Sequence, residues 1–190
     1  MSLNWSAVNF AIPSPRNGDQ FNGRFDQVFR NGSDRLRATY YLSDIETWFS
    51  DMRSTFDRPY PHRNQLFTAA HSRVMSNQSL NELAFGYVRM HGQAEDPTPD
   101  VPSISITGLS GNSGFGVLFW HPIGFTQNYF QIKDTLTANR GRHSLRIGAE
   151  ARLTLQYQDF HHYERPNYGF SNLLDFADDF GWSVTVIGAA

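Results

Sequence analysis

The chain has 190 residues, a formal net charge of −2 and no cysteine. The missing cysteines exclude disulfide frameworks, Cys-ligated zinc and thiol catalysis, and the charge balance gives no general attraction to nucleic acid. Aromatic residues make up 15% of the sequence, which excludes a disordered chain. No run of about 18 apolar residues occurs, so the sequence encodes no transmembrane helix.

Alternation of apolar and polar residues predicts β-strands from the beginning of the chain onward. The first candidate strand lies within residues 3–12, the second spans residues 19–30 and the third spans residues 34–43. The second places three phenylalanines on one face and charged residues on the other. A weaker pattern predicts a fourth strand in residues 63–76.

The second half of the chain continues this pattern. Further strands are predicted in residues 81–90, 127–139 and 145–157, and the last of these alternates strictly along its whole length. At about 3.3 Å per residue it would span about 43 Å, more than a strand of a soluble sandwich usually needs. Residues 171–180 then predict a short helix in a loop, with Ser171 as its N-cap.

Tight turns and long connections alternate between the predicted strands, as they do in outer-membrane barrels, where short turns lie at one end and long loops at the other. Asn-Gly and Arg-Gly-Arg sequences supply residues that tolerate the positive φ of such turns. The predicted tight turns are residues 31–32, 77–79 and 140–142, and the long connections are residues 44–62, 91–126 and 159–168.

Charged side chains occur in the middle of the most regular strands, opposite the apolar ones. In a soluble barrel this polar face would meet water, whereas in a membrane barrel it lines the lumen and the apolar face meets lipid. Strand length and aromatic content favour the membrane barrel over the soluble one. We therefore expect Leu145, Ile147, Leu153 and Leu155 to face lipid. The residues expected to face the lumen are Arg24, Asp26, Arg146, Glu150 and Arg152.

Several strand–turn–strand blocks resemble the β-barrel of TonB-dependent outer-membrane receptors, in particular the group with a carboxypeptidase-regulatory-like domain. The most specific block is Arg-Gly-Arg-His-Ser-Leu before a Gly-x-Glu strand, and the resemblance covers about residues 15–180. The blocks that carry it are residues 19–26, 31–36, 81–87, 140–150 and 169–176.

This resemblance implies an all-β chain that forms part of a transmembrane barrel and serves TonB-dependent uptake of a substrate, such as a saccharide or peptide, in the bacterial outer membrane. We expect the chain to carry no signal peptide and no plug, and its last five residues include no aromatic residue. We therefore expect residues 1–190 to be one partial barrel domain, an internal piece of seven or eight antiparallel up-and-down strands. Its expected partners are outer-membrane lipid and the rest of the receptor, with TonB reached only through the missing plug, and no nucleic acid.

No residue pattern nominates a catalytic nucleophile, so we predict that the chain is not an enzyme and has no catalytic residues, cofactor or metal. His161 and His162 are adjacent and would point to opposite faces of a strand, which makes a shared metal ion awkward. Three aromatic residues of the first long connection are candidates to stack on a ligand: Trp48, Phe49 and Tyr60.

Two other functions fit the same pattern. A soluble extracellular β-sandwich or barrel that binds carbohydrate would be a monomer without detergent. A small self-contained outer-membrane barrel with a structural or adhesin role would pair its first and last strands and change its gel mobility on heating.

Overall fold

The computed structural model describes residues 12–50, 54–98, 100–108, 114–116, 121–160, 165–181 and 183–185. The predicted strand in residues 3–12 lies almost wholly outside the described residues. Six long strands form the larger of two sheets. In sheet order they are Arg16–Phe29 (β1), Asp34–Phe49 (β2), Arg58–Ser76 (β3), Ser79–Ala94 (β4), Ile123–Arg140 (β7) and His143–Phe160 (β8).

Every neighbouring pair in this large sheet is antiparallel, and each long strand pairs with the long strand that follows it in the chain. The all-β, up-and-down class predicted from the sequence is therefore confirmed. Strands β1 and β8 are the two edges of the sheet, and no pairing joins them within the described residues. The sheet is accordingly open rather than closed into a barrel.

The strands are longer than the alternation predicted. Residues 44–62 were expected to be a connection, but β2 continues to Phe49 and β3 begins at Arg58. Pro59 and Pro61 argue against a central strand, because proline has no N–H to donate to a second neighbouring strand. The structure tolerates both, since this stretch of β3 pairs with β2 and its pairing with β4 begins only at His62.

The other two long connections are also shorter than predicted. Strand β4 continues to Ala94 and β7 begins at Ile123, so residues 91–94 and 123–126 belong to the large sheet. Strand β8 continues to Phe160. The remainder of these connections and the residues that follow them carry the strands of a second sheet, namely Ser103–Ile106 (β5), Gly114–Phe115 (β6), Asn167–Phe170 (β9) and Ser183–Thr185 (β10).

The small sheet has the order β10-β9-β5-β6, and its β5 and β9 strands are parallel. This parallel pair was not predicted from the sequence. Two of its apolar side chains are buried against each other, since Ile106 and Phe170 lie opposite each other and are 1% and 5% exposed. Phe176 packs edge-on against Phe170 with a ring separation of 5.1 Å.

Phe176 belongs to the short helix α1, Leu173–Ala177. The predicted helix over residues 171–180 is thus present but shorter. Its N-cap is Asn172 rather than Ser171, since the Asn172 carboxamide oxygen accepts hydrogen bonds from the amides of Leu174 and Asp175 at 2.8 and 2.9 Å. Asparagine and serine are both common at this position because the side-chain oxygen of each can accept a hydrogen bond from an amide of the first turn.

The three predicted tight turns are confirmed at their expected places. The first is one residue longer on each side than Asn31-Gly32, because β1 ends at Phe29 and β2 begins at Asp34. Asn31 and Gly32 have φ values of 55° and 91°, the left-handed region that these two residue types adopt at low cost. Gly141 has a φ of 60° in the turn between β7 and β8.

Gly148 marks a close approach between β7 and β8. A Cβ atom there would lie 2.8 Å from the carbonyl oxygen of Asp134 and 3.2 Å from Oγ1 of Thr135, whereas at Gly86 it would meet nothing closer than 3.9 Å. We expect Gly148→Ala to lower the free energy of unfolding by about 1–3 kcal/mol through overpacking. Gly86→Ala, on the same face of the sheet, should be neutral or slightly stabilising because alanine has less backbone entropy to lose.

Urea titration of the refolded protein in lipid vesicles would measure both variants. Equal unfolding midpoints for Gly148→Ala and the unchanged chain would contradict the close approach.

Candidate functional site: the two faces of the large sheet

The large sheet has two chemically different faces, which its register defines. One face, called here the apolar face, carries the odd-numbered residues of β1, β3, β4 and β8 and the even-numbered residues of β2 and β7. The opposite face, called here the polar face, carries the alternate residues. The sequence predicted this separation within single strands, and the register extends it across all six.

Two complete rows of non-charged side chains cross the apolar face from β1 to β8. The large side chains of the first row are exposed, with Phe25 at 53% and Ile132 at 50%, whereas in the second row Leu153 is 54% exposed and Tyr40, Tyr87 and Phe130 are half-buried. Side chains of this size stabilise a soluble protein only when they are buried, so a row whose large apolar side chains are all exposed indicates a surface covered by something apolar. The rows are Phe25, Ala38, Ala69, Phe85, Ile132 and Ala151, and Gly23, Tyr40, Phe67, Tyr87, Phe130 and Leu153.

A boundary of polar groups runs along the second row, on the side of the long connections. The hydroxyl group of Tyr40 accepts a hydrogen bond from Nε2 of Gln65, and the hydroxyl group of Tyr87 donates one to Oδ1 of Asn128, both at 2.9 Å. Arg89 donates to the same Asn128 oxygen at 3.4 Å. Tyrosines with an apolar ring on one side and a polar partner on the other are typical of the aromatic girdle of a membrane barrel.

A second polar boundary lies on the apolar face near the tight turns. Nε2 of His71 donates to Oδ1 of Asp34 at 2.8 Å, and Arg30 and Arg73 approach the same carboxylate at 3.6 and 3.9 Å. Asn81 donates to Oδ1 of Asp134 at 2.7 Å.

This cluster of polar groups was not predicted from the sequence. Its signal was available, since Asp34, His71 and Asp134 are polar residues at positions where the alternation calls for apolar ones.

The apolar band between the two boundaries differs in height from strand to strand. On β8 it extends from Leu145 to Tyr157, which is about 40 Å of strand. On β3 it lies between Gln65 and His71, which is only about 20 Å. An outer-membrane barrel presents a band about 25 Å tall with strands tilted by about 40°, which corresponds to about 33 Å of strand.

All five residues predicted to face a lumen lie on the polar face. Arg24 pairs with Asp26 on β1, and Arg37 of β2 approaches the same carboxylate at 3.4 Å. Glu150 and Arg152 pair on β8, and Gln131 donates to Oε1 of Glu150 at 2.9 Å. Arg146 lies further along the same face of β8. That this face meets a lumen stays a prediction.

The three candidate ligand-stacking aromatics lie at strand ends rather than in a loop. Trp48 and Phe49 end β2, and Tyr60 lies near the start of β3. The structure brings Phe49 and Tyr60 together on the polar face with a ring separation of 5.6 Å, and His62 lies 5.4 Å from Tyr60. Trp48 lies on the apolar face and is separated from them. Their role in ligand binding stays a prediction.

A buried arginine links two segments outside the large sheet, and no sequence pattern predicted it. The side chain of Arg165 is 4% exposed and forms an ion pair with Asp96, which is 3% exposed. Its Nη1 also donates to the carbonyl oxygens of Thr98 and Val101 at 3.3 and 3.2 Å. Burial lowers the pKa of the Arg165 guanidinium group from its ordinary value, so the site favours its charge less than water does.

No three His, Asp or Glu side chains of the described residues come together as a metal site. His161 and His162 lie outside the described residues. No helix in the described part of the chain is long and apolar enough to cross a membrane.

Comparison with known proteins adds one finding. The model of a protein family described as an outer membrane beta barrel domain matches residues 2–179. No curated protein and no solved structure matches the chain significantly.

Proposed function

The chain belongs to the outer-membrane β-barrel domain family, and from this premise we propose that it forms part of the barrel wall of a TonB-dependent receptor that takes up a substrate across the bacterial outer membrane. The main observation in support is the large sheet, in which six long antiparallel strands separate an exposed apolar face from a polar one. This is the inverted arrangement of a membrane barrel, with apolar side chains outside and charged ones inside. The blocks that resemble such receptors supply the finer assignment.

In this proposal the apolar face contacts lipid, and the tyrosine boundary lies at the membrane surface nearest the long loops. The polar face borders the lumen, where ion pairs such as Arg24 with Asp26 remain in contact with water. The chain has no catalytic role. Further strands and a plug are its partners within the receptor, and the plug is the part through which TonB would act.

A spin-label experiment tests the membrane orientation. The sequence has no cysteine, so a single cysteine at Leu153 or at its neighbour Arg152 gives one unique label each. In vesicles we expect a lipid-soluble quencher to reach the label at 153 more strongly, and a water-soluble quencher to reach the label at 152 more strongly. The reverse order at both positions would contradict the proposed orientation.

The receptor assignment has its own test, which is the coding sequence next to that of this chain. A plug-coding region upstream in the same frame would support a TonB-dependent receptor. Without one, a heat-dependent change in gel mobility of the isolated protein would favour a small self-contained barrel instead.

A further inference from the structure

The polar face contains a cavity of about 250 Å³ near the tight turns of the large sheet. Four basic side chains line it, and a single acidic one, Glu82, accompanies them. The volume equals that of about eight water molecules in the liquid, which is enough for a phosphate group with a small substituent. The basic residues are Arg35, Arg37, Lys133 and Arg146.

The register explains how the cavity forms. Residues with small side chains occupy its centre on β3 and β4, where Ala70 lies directly opposite Ala84. Arg37 of β2 lies directly opposite Ala70, and Lys133 of β7 lies directly opposite Ala84. At about 4.8 Å per strand, three spacings separate these two basic residues by about 14 Å between Cα atoms if the sheet is flat. Small residues thus form a floor between two walls with long basic side chains.

The basic residues of this cavity differ from the other arginines of the polar face. Arg24 and Arg152 are each paired with a carboxylate on their own strand, at Asp26 and Glu150. Within the described residues, by contrast, Arg35, Lys133 and Arg146 have no carboxylate within 4.0 Å. Arg37 is an intermediate case, since Asp26 approaches it at 3.4 Å.

We infer that this cavity is a binding site for a small phosphate-bearing anion, either inorganic phosphate or a phosphate monoester. Arginine donates paired hydrogen bonds that match the geometry of phosphate oxygens, and lysine adds a point charge. The hydroxyl groups of Ser72 and Thr135, which also line the cavity, are further donors. The inference goes beyond the proposed uptake function, because binding to the isolated chain requires neither a plug nor TonB.

Glu82 limits the affinity of this site. Its carboxylate shares the cavity with the basic groups, so it repels an anion and competes with it for them. Glu82→Gln removes that charge with almost no change of shape. This variant should therefore bind phosphate more tightly than the unchanged chain, and a gain of binding cannot be produced by misfolding.

Isothermal titration of the full chain in detergent micelles with inorganic phosphate tests the site. We expect Arg146→Gln to weaken binding by about 10-fold or more, as the loss of a charge-assisted hydrogen bond predicts. Arg152→Gln is the matched control on the same strand and face, and it should change the affinity less than about 2-fold. Glu82→Gln should tighten binding by about 3-fold or more.

Lys133 offers a second measurement, because it is the only lysine in the sequence. Phosphate should slow its acylation by an amine-reactive reagent, with peptide mass spectrometry distinguishing it from the N-terminal amine. Glycerol phosphate should protect Lys133 as well as phosphate does if the natural ligand is an ester, and less well if it is the free ion. Acetate at the same concentration should not protect it.

Three results would overturn the inference. They are equal weakening by Arg146→Gln and Arg152→Gln, unchanged affinity in Glu82→Gln, and acylation of Lys133 at the same rate with and without phosphate. Equal weakening by the two arginine variants would mean that phosphate responds only to the overall charge of the polar face.

Discussion

Replacement of Arg165 by methionine should destabilise the region around the small sheet, lowering its free energy of unfolding by about 3–5 kcal/mol. The guanidinium group is the counter-charge of Asp96, and both side chains are almost completely buried. Without it, the Asp96 carboxylate stays buried and charged, and the carbonyl groups of Thr98 and Val101 lose a donor. Hydrogen exchange of the β5 and β9 amides would measure the loss.

Two variants serve as controls for this result. The double variant Asp96→Asn with Arg165→Met removes both charges and should recover most of the lost protection. Arg152→Met breaks an exposed ion pair, since the Arg152 side chain is 62% exposed, and should cost less than about 1 kcal/mol. Unchanged exchange of β5 and β9 in Arg165→Met would show that the ion pair does not join these segments.

Ile132→Arg should lower the free energy of unfolding in lipid vesicles by about 2–4 kcal/mol, the cost of a cation at the lipid-facing midplane of a barrel. Ile132 is 50% exposed and lies in a row that contains no polar residue from β1 to β8. Chemical denaturation in vesicles, followed by tryptophan fluorescence, would give the difference from the unchanged chain.

The neighbouring variant Gln131→Arg provides the control. Residue 131 lies on the polar face, where its side chain already donates to Glu150, so an arginine there can keep that partner. We expect a change of less than about 1 kcal/mol. If Gln131→Arg cost as much as Ile132→Arg, the two faces would not have the environments that the proposal assigns to them.

Much of the large sheet could be predicted because the alternation within each strand is enough to assign its residues to two faces. The strict alternation in residues 145–157 places Arg146 and Leu153 on opposite sides without knowledge of any neighbour, and β8 has this arrangement. The strand ends could not be predicted in the same way. At the start of β3, Pro59 and Pro61 contradict a strand locally, and only the pairing with β2 makes them acceptable.

The pairings between distant segments were not accessible from local patterns. The parallel pair β5–β9 joins segments about 60 residues apart, and neither carries a recognisable signal by itself. The basic cavity is a similar case, since Arg35 and Lys133 come from strands that are not neighbours. Their shared position depends on the registers of three successive strand pairs, and a shift of one residue in any of them would move one group to the other face.

The unequal height of the apolar band has a consequence for the surrounding lipid. Where Gln65 and His71 limit the apolar band of β3 to about 20 Å, a bilayer of constant thickness would have to cover these polar groups with acyl chains. The bilayer avoids this by thinning locally, at a cost of fractions of a kcal/mol per Å. The protein should therefore fold more readily in short-chain than in long-chain lipids, and its tall strand β8 should lie beside the thickest part of the membrane around it.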